Sequence, residues 1–342
     1  MINLNYIYIL MDIRRILVDD QFKYVDKKTK KRITDKKTLK RIANMRIPPA
    51  YKKIKISKRV GDKVQAIGVD DAGRKQYIYN KKFVQEQQEI KFQDLIQFGK
   101  KIKRIRQDVK YHISKKTDIY DRSKVISMVI YLMDNCNFRI GTEEYKKLYN
   151  TYGATTLNKN HIIFKDNEAE IRFVGKKSVE NVSTVRNNDA IGLLRQLCQK
   201  HSGKEFLFYY KDDQGEIHQV SSSQINNFLK KYNKNLIPKM FRTWNGNNIL
   251  LKHLIGKKKP IDEKEIKSNL REALRKVSNE LHNTMAVAKK SYLNSEIYTT
   301  YLLDNNKFFA FLDKNKKDNG DNKTTDRILT LFLIEYYKDL GK

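Results

Sequence analysis

The strongest constraint on the fold is a change in the period of the apolar residues near position 90. Before it they alternate in short runs: Phe22-Lys-Tyr-Val25, Lys53-Ile-Lys-Ile56, Val64-Gln-Ala-Ile-Gly68 and Lys75-Gln-Tyr-Ile-Tyr79. A period of two lines one face of a pleated strand. After it, Phe92, Leu95, Ile96, Ile102 and Ile105 recur at helical spacing, as do Val125, Met128, Val129, Leu132, Met133 and Cys136. That spacing lines one face of a buried helix. The chain therefore reads as α+β, a small, mainly antiparallel β domain followed by a larger, mainly α domain. The expected boundaries are 1–82 for the β domain, with 1–15 as a candidate extension, 83–90 for a polar linker, and 91–342 for the helical domain, whose tail runs from 300 to 342.

In the first half, Phe22–Val25 and Lys31-Arg-Ile-Thr34 read as a hairpin about Asp26–Thr29, and Asp35–Ile42 as one short helix. Arg46-Ile-Pro-Pro-Ala-Tyr51 must be extended, because two prolines forbid helix there. In the second half a β pattern returns over 155–177, with Ile162-Ile-Phe164 and Ile171-Arg-Phe-Val174 flanking a turn at Lys165-Asp-Asn167. Helices are expected at Ala190–Gln199, Ser223–Lys231 with Ser223 as N-cap, Asp262–Leu281 and Ile328–Tyr337, and Asp313–Asp326 reads as a solvated linker.

Charge narrows the partner. The 71 Lys and Arg against 39 Asp and Glu leave +32, a field that draws a polyanion even if an AT-rich coding sequence inflates the lysine count. No apolar run approaches the ~20 residues of a membrane span, so no membrane partner is expected. The apolar first ten residues lack a basic region and a small-residue cleavage site, so the chain does not read as secreted. Cys136 and Cys198 lie in helical apolar patterns without a CxxC, as reduced core residues do in a reducing compartment. The six histidines are dispersed and there is no GxxxxGK[ST], so neither a metal site nor a nucleotide cofactor is expected. The chemistry left for such a chain on nucleic acid is direct attack on phosphate by a side chain, with arginines stabilising the pentacoordinate transition state.

Candidates for that arrangement stand at four places. Asn137-Phe-Arg-Ile-Gly141 closes an apolar helix, Phe173-Val-Gly-Lys-Lys177 closes a hairpin strand, Lys239-Met-Phe-Arg-Thr-Trp244 precedes a helix, and Asn283-Thr-Met-Ala-Val-Ala-Lys-Lys-Ser-Tyr292 follows another. Singly each is ordinary: a helix-terminal arginine is usually a solvated dipole partner, and Tyr292 is one of 20 tyrosines. Their order, Arg…Lys…Lys-x-x-Arg…Tyr with the first lysine on a β-hairpin, resembles the small type IB DNA topoisomerases of poxviruses, giant viruses and bacteria. The likeness runs from about Val18 to Tyr298. It includes Arg46-Ile-Pro-Pro-Ala-Tyr51, Gln65-Ala-Ile-Gly-Val-Asp70, Gly73-Arg-Lys-Gln-Tyr-Ile-Tyr79, Phe138-Arg-Ile-Gly-Thr-Glu-Glu-Tyr145 and Tyr152-Gly-Ala-Thr-Thr-Leu157.

The resemblance implies roles residue by residue. Tyr292 would attack a phosphodiester of duplex DNA to give a 3′-phosphotyrosyl link. Arg139 and Arg242 would clamp the non-bridging oxygens, and Lys176 would protonate the leaving 5′-oxygen. The poxvirus pattern has histidine nine residues before the tyrosine, whereas here 292 − 9 = 283 is asparagine, as in bacterial members. Asn283 is favoured as the amide donor over the neighbouring His282, because on a helix adjacent side chains diverge by about 100° and both cannot face one phosphate. Tyr51 and Met285 also depart from the common Trp and Pro. For DNA grip the resemblance points to Arg74, Lys75, Gln76, Tyr77 and Tyr79 on one strand, and to Tyr145 and Lys239, with packing in the small domain as the lesser reading of Tyr77 and Tyr79. It implies a monomer clamped around DNA without cofactor or metal, acting in a virion or cytoplasmic virus factory if viral and in the nucleoid if bacterial. Two rivals remain. A tyrosine recombinase shares the covalent step but usually carries His-x-x-Arg and a helical N-terminal domain. A basic architectural protein explains the charge but not the ordered constellation.

Overall fold

The computed structural model describes residues 11–200, 203–318, 321–322 and 324–340. The first ten residues of the candidate extension lie outside them. The chain divides into two compact units between Lys91 and Phe92.

The first unit is a five-stranded antiparallel sheet in the order β2-β1-β3-β4-β5. Its strands are β1 (Ile13–Val18), β2 (Gln21–Asp26), β3 (Lys52–Ile56), β4 (Val64–Val69) and β5 (Lys75–Tyr79). Ile13, Ile54, Ile56 and Ala66 bury one face beneath Ile42 of α1 (Lys36–Asn44). Asp35 caps α1 by accepting the Thr38 N–H at 2.8 Å. Two expectations change here. The hairpin partner of Gln21–Asp26 is Ile13–Val18, and Lys31–Thr34 contributes only an isolated bridge between Arg32 and Val25. Residues 13–15 are thus the start of a core strand rather than an extension. Arg15 ties that strand to the proline segment, donating to the carbonyls of Pro48 at 3.2 Å and Pro49 at 3.0 Å.

The stretch read as a linker is helical: 83–90 belongs to α2 (Lys81–Ser114). Its Gln and Glu residues are good helix formers with no Gly or Pro among them, and Asn80 starts the helix by accepting the Lys82 N–H at 2.8 Å. Polarity marked exposure there, not loss of structure.

The second unit, from Phe92 onward, packs helices around one large core. From α2, Phe92, Leu95, Ile96, Phe98, Ile102, Ile105, Val109 and Ile113 enter it. The nearly all-buried α3 (Arg122–Asn135) follows, then the short α4 (Glu143–Tyr149). A three-stranded antiparallel sheet comes next: β6 (Ile162–Phe164), β7 (Ala169–Gly175) and β8 (Val179–Val185). Then come α5 (Asn188–Lys200), the pair β9 (Tyr209–Lys211) and β10 (Ile217–Gln219), and α6 (Ser222–Lys230). Ser221 rather than Ser223 caps α6, in a reciprocal box with Gln224. Helices α7 (Lys239–Ile255), α8 (Glu263–Glu280), α9 (Met285–Ser291), α10 (Ser295–Leu303), α11 (Asn305–Asn315) and α12 (Thr325–Leu340) complete the order. Lys239–Trp244 does not precede a helix; it is the first turn and a half of α7. The linker expected from Asp313 begins inside α11.

Trp244 fills the centre of this unit, fully buried, with Phe98 against it and Phe241 edge-on to Phe98 at 5.1 Å. Gly99 of α2 lets it sit there. A Cβ at Gly99 would lie 2.4 Å from the indole Cη2 and 2.8 Å from the Thr330 hydroxyl. Gly99→Ala gains about 1 kcal/mol of helix propensity. Against a rigid buried indole, overpacking of ~1–3 kcal/mol outweighs that gain, so the variant should unfold at lower denaturant than wild type.

Candidate active site

Around one cleft of the second unit stand Arg139, Lys176, Lys177, Lys239, Arg242, His282, Asn283 and Tyr292, with Glu180 as its carboxylate. All five residues assigned to chemistry therefore meet, from four separate places in the sequence.

Tyr292 caps the C-terminus of α9 and is 8% exposed. Asn247 of α7 fixes its backbone: the Asn247 amide donates to the Tyr292 carbonyl at 3.0 Å, and its oxygen accepts the Asn294 N–H at 2.8 Å. Arg242, one and a half turns before Asn247 on the same helix, donates Nε–H to the Tyr292 hydroxyl at 3.3 Å. Its other nitrogens donate to the carbonyls of Asn137 and Leu281, the latter at 2.6 Å. A guanidinium has five N–H groups, so two remain for a ligand. Asn247 was missed from sequence, although an Asn-Gly-Asn-Asn run inside a helix costs propensity and was a usable signal.

Arg139 lies in the loop between α3 and α4, donating to Asn283 Oδ1 at 2.8 Å. The Tyr152-Gly-Ala-Thr-Thr segment holds this loop. Ala154 N–H bonds the Arg139 carbonyl and Thr155 N–H the Ile140 carbonyl, both at 2.8 Å. The two backbones touch at glycines: a Cβ on Gly153 would meet Gly141 N at 2.5 Å and the Arg139 carbonyl at 2.7 Å.

Asn283 and His282 are not on a helix. They occupy the turn after α8, where His282 adopts a left-handed φ of 47°. The helical argument that only one can face the site fails for that reason, since both line the cleft. Asn283 accepts from Arg139 and donates its own amide to the Leu281 carbonyl at 3.0 Å, so one N–H of its amide is already engaged.

Lys176 sits at the exposed tip between β7 and β8, its ammonium 5.8 Å from the Tyr145 ring. Lys239, at the first turn of α7, places its ammonium 5.4 Å over the Tyr292 ring. Tyr145 is 46% exposed on α4. Of the remaining sequence candidates, Lys75, Gln76, Tyr77 and Tyr79 lie on β5 of the first unit, an edge strand, and Arg74 directly precedes it. Gln76 and Arg74 both donate to the Asp70 carboxylate at 2.9 Å. Tyr77 packs on the small Met11, Val64 and Ile67 cluster and stacks on Tyr79, which is 42% exposed.

Electrostatics follow from the arginines. Burial pushes the Tyr292 phenol up, but the charges of Arg242 and Arg139, the hydrogen bond from Arg242, and Lys239 outweigh it, leaving the phenol below the ordinary tyrosine value. Burial and the neighbouring Arg139 lower Arg242 to about 10, still protonated at neutral pH. Burial, then Arg242 and Arg139, keep the His282 imidazole below its ordinary value. The cleft thus offers an acidified phenol among cations: a nucleophile beside an anion receptor.

Two family models match the chain. One described as eukaryotic DNA topoisomerase I, catalytic core, matches residues 80–317, and one described as bacterial DNA topoisomerase IB, N-terminal domain, matches residues 21–70. DNA topoisomerase 1B of Acanthamoeba polyphaga mimivirus is 29% identical over 79% of this chain and 81% of its own length. DNA topoisomerase 1 of Rabbit fibroma virus is 23% identical over 68% and 70%. DNA topoisomerase 1B of Vaccinia virus is 31% identical over 42% and 45%.

Two outcomes test this geometry. In a difference titration of wild type against Tyr292→Phe, the Tyr292 phenol should ionise below the ordinary pH for tyrosine, and Arg139→Ala should move that titration upward. Gly153→Ala should push the Arg139 loop out of register and lower single-turnover DNA cleavage by roughly 10- to 100-fold. Its DNA affinity, read by filter binding, should change far less.

Proposed function

The chain belongs to the type IB DNA topoisomerase family, and on that premise we propose that its cleft cuts and reseals one strand of duplex DNA to release supercoils. The Tyr292 oxygen attacks a backbone phosphorus and its phenolic proton passes to water. The bond from phosphorus to the 5′-oxygen breaks, Lys176 gives that oxygen a proton, and the strand is left as a 3′-phosphotyrosyl ester. The free 5′-hydroxyl end rotates under torsion. Attack by that hydroxyl on the ester reverses each step and releases the tyrosine.

The ester preserves the energy of the broken link, so the cycle needs neither nucleotide nor metal. Arg139 and the two unspent N–H groups of Arg242 bind the non-bridging oxygens, where removing one such donor typically costs ~10²–10³ in rate. Asn283 holds Arg139 and offers its remaining amide N–H. His282, kept largely neutral, is a neighbouring contact. Arg74, Lys75, Gln76, Tyr77 and Tyr79 grip the duplex from the first unit, Tyr145 and Lys239 from the second, and the protein works as a monomer closed around DNA wherever that DNA is kept.

The observation that carries this reading is the Arg242 Nε contact to the Tyr292 hydroxyl at 3.3 Å, which sets nucleophile and charge receptor on the same spot. Supercoiled plasmid incubated with the protein in excess EDTA and without nucleotide should relax. Tyr292→Phe should bind the plasmid and leave it supercoiled. Plasmid left supercoiled by the wild type would overturn the reading, and relaxation by the variant would overturn the choice of nucleophile.

A further inference from the structure

The C-terminal helix α12 lies beyond residue 317, where the catalytic-core match ends. Its first turn carries Asp326, whose carboxylate is the meeting point of three donors. Trp244 Nε1 reaches Oδ1 at 2.6 Å, Asn248 Nδ2 reaches the same oxygen at 2.5 Å, and Arg106 Nη1 reaches Oδ2 at 2.5 Å. Trp244 and Asn248 flank one face of α7, the helix that presents Arg242.

The network does not stop there. Arg106 also pairs with the buried Asp134 at the end of α3, through Nε at 2.6 Å and Nη2 at 3.0 Å. Asn245 of α7 donates to the Asp134 carbonyl at 2.6 Å and to Asn137 Oδ1 at 2.9 Å. Asn137 holds a left-handed φ of 55°, and its carbonyl accepts from Arg242. One continuous run of hydrogen bonds therefore links α12 to the carbonyl that seats the Arg242 guanidinium.

We infer that Asp326 is a positioning residue for strand cleavage: it locks the rotation of α7 against α3 and so fixes where Arg242 meets the scissile phosphate. Packing against Phe98 and Gly99 seats the Trp244 indole, and what is left to set is a directional polar tie for its N–H. A carboxylate supplies it, and the Arg106 guanidinium offsets the cost of holding the anion in a half-buried place. A fork of fixed geometry must meet two oxygens, so a rotation moving Arg242 by about 1 Å is enough to slow the chemistry. The inference rests on the role given to Arg242 above.

The test is a double-mutant cycle in single-turnover cleavage of a duplex substrate, with DNA affinity and thermal unfolding measured on each variant. Asp326→Asn should bind DNA within roughly twofold of wild type and cleave roughly 10- to 100-fold more slowly. In an Arg242→Ala background the same substitution should cost almost nothing more, since the group it positions is gone. A merely structural role predicts the same fractional loss in both backgrounds. If Asp326→Asn does not fold, Asn248→Ala takes its place in the cycle, removing one donor to the same carboxylate, and should show a smaller loss that likewise vanishes beside Arg242→Ala. Wild-type cleavage by either folded variant, or a loss that persists in the Arg242→Ala background, overturns the inference. Failure of the wild type to relax plasmid is a different result and overturns the assignment of the cleft itself.

Discussion

The structure depends on how the Arg242 guanidinium is buried. At 2% exposure its charge would cost several kcal/mol if its donors were unmet. Three of the five are met, all by neutral groups: the Asn137 and Leu281 carbonyls and the Tyr292 hydroxyl. Arg139 is likewise held by an amide oxygen. Arg106 is the contrast, bound to the carboxylates of Asp134 and Asp326. Its charge is cancelled where it serves architecture. The arginines of the cleft are oriented but not neutralised, so their field is left to act on the Tyr292 phenol and on an incoming phosphate. Oriented charge that needs no rearrangement during reaction is the larger part of what such a site can supply.

The elements around the cleft follow from that requirement. Tyr292 and Arg242 keep a fixed relation although 50 residues separate them, and α7 provides this by carrying both Arg242 and Asn247, which hold opposite ends of Tyr292. Arg139 comes from a loop, which cannot hold position by itself. The Gly141 and Gly153 contact and the paired carbonyl bonds replace the missing ladder. Lys176 is treated otherwise, standing exposed on a hairpin tip with an aromatic ring for company. In the role proposed for Lys176, proton donor to a leaving oxygen, a long side chain on a narrow tip can follow that oxygen.

What could be read in the sequence divides along the same line. The change of apolar period located the β and α halves because burial writes directly into the pattern. The ordered Arg, Lys, Arg and Tyr were legible because their residue types and order survive without coordinates. The turn holding His282 was not, since a left-handed φ at a histidine leaves no mark that a helix end would not also leave. Residues 83–90 misled because a polar run and an exposed helix share a composition. Asp326 fell inside a stretch read as solvated, and nothing in one carboxylate announces three partners from α2 and α7. Asn247 was within reach: amides packed into a helix interior oppose propensity and call for a reason.

The asparagine at 283 takes its meaning from the Leu281 carbonyl. That oxygen accepts from Arg242 Nη2 at 2.6 Å and from the Asn283 amide at 3.0 Å, while Asn283 Oδ1 receives Arg139 at 2.8 Å. The two arginines are thus joined through one amide and one carbonyl. The linking side chain must donate at one end and accept at the other. A neutral imidazole meets that demand in one tautomer only, and once protonated near its ordinary pKa of about 6.5 it loses its acceptor and adds a third cation between two guanidiniums. An amide has no such state. The link between the arginines therefore holds across the pH range in which a histidine would titrate, and the charge of the cleft is set by its arginines, its lysines and Glu180.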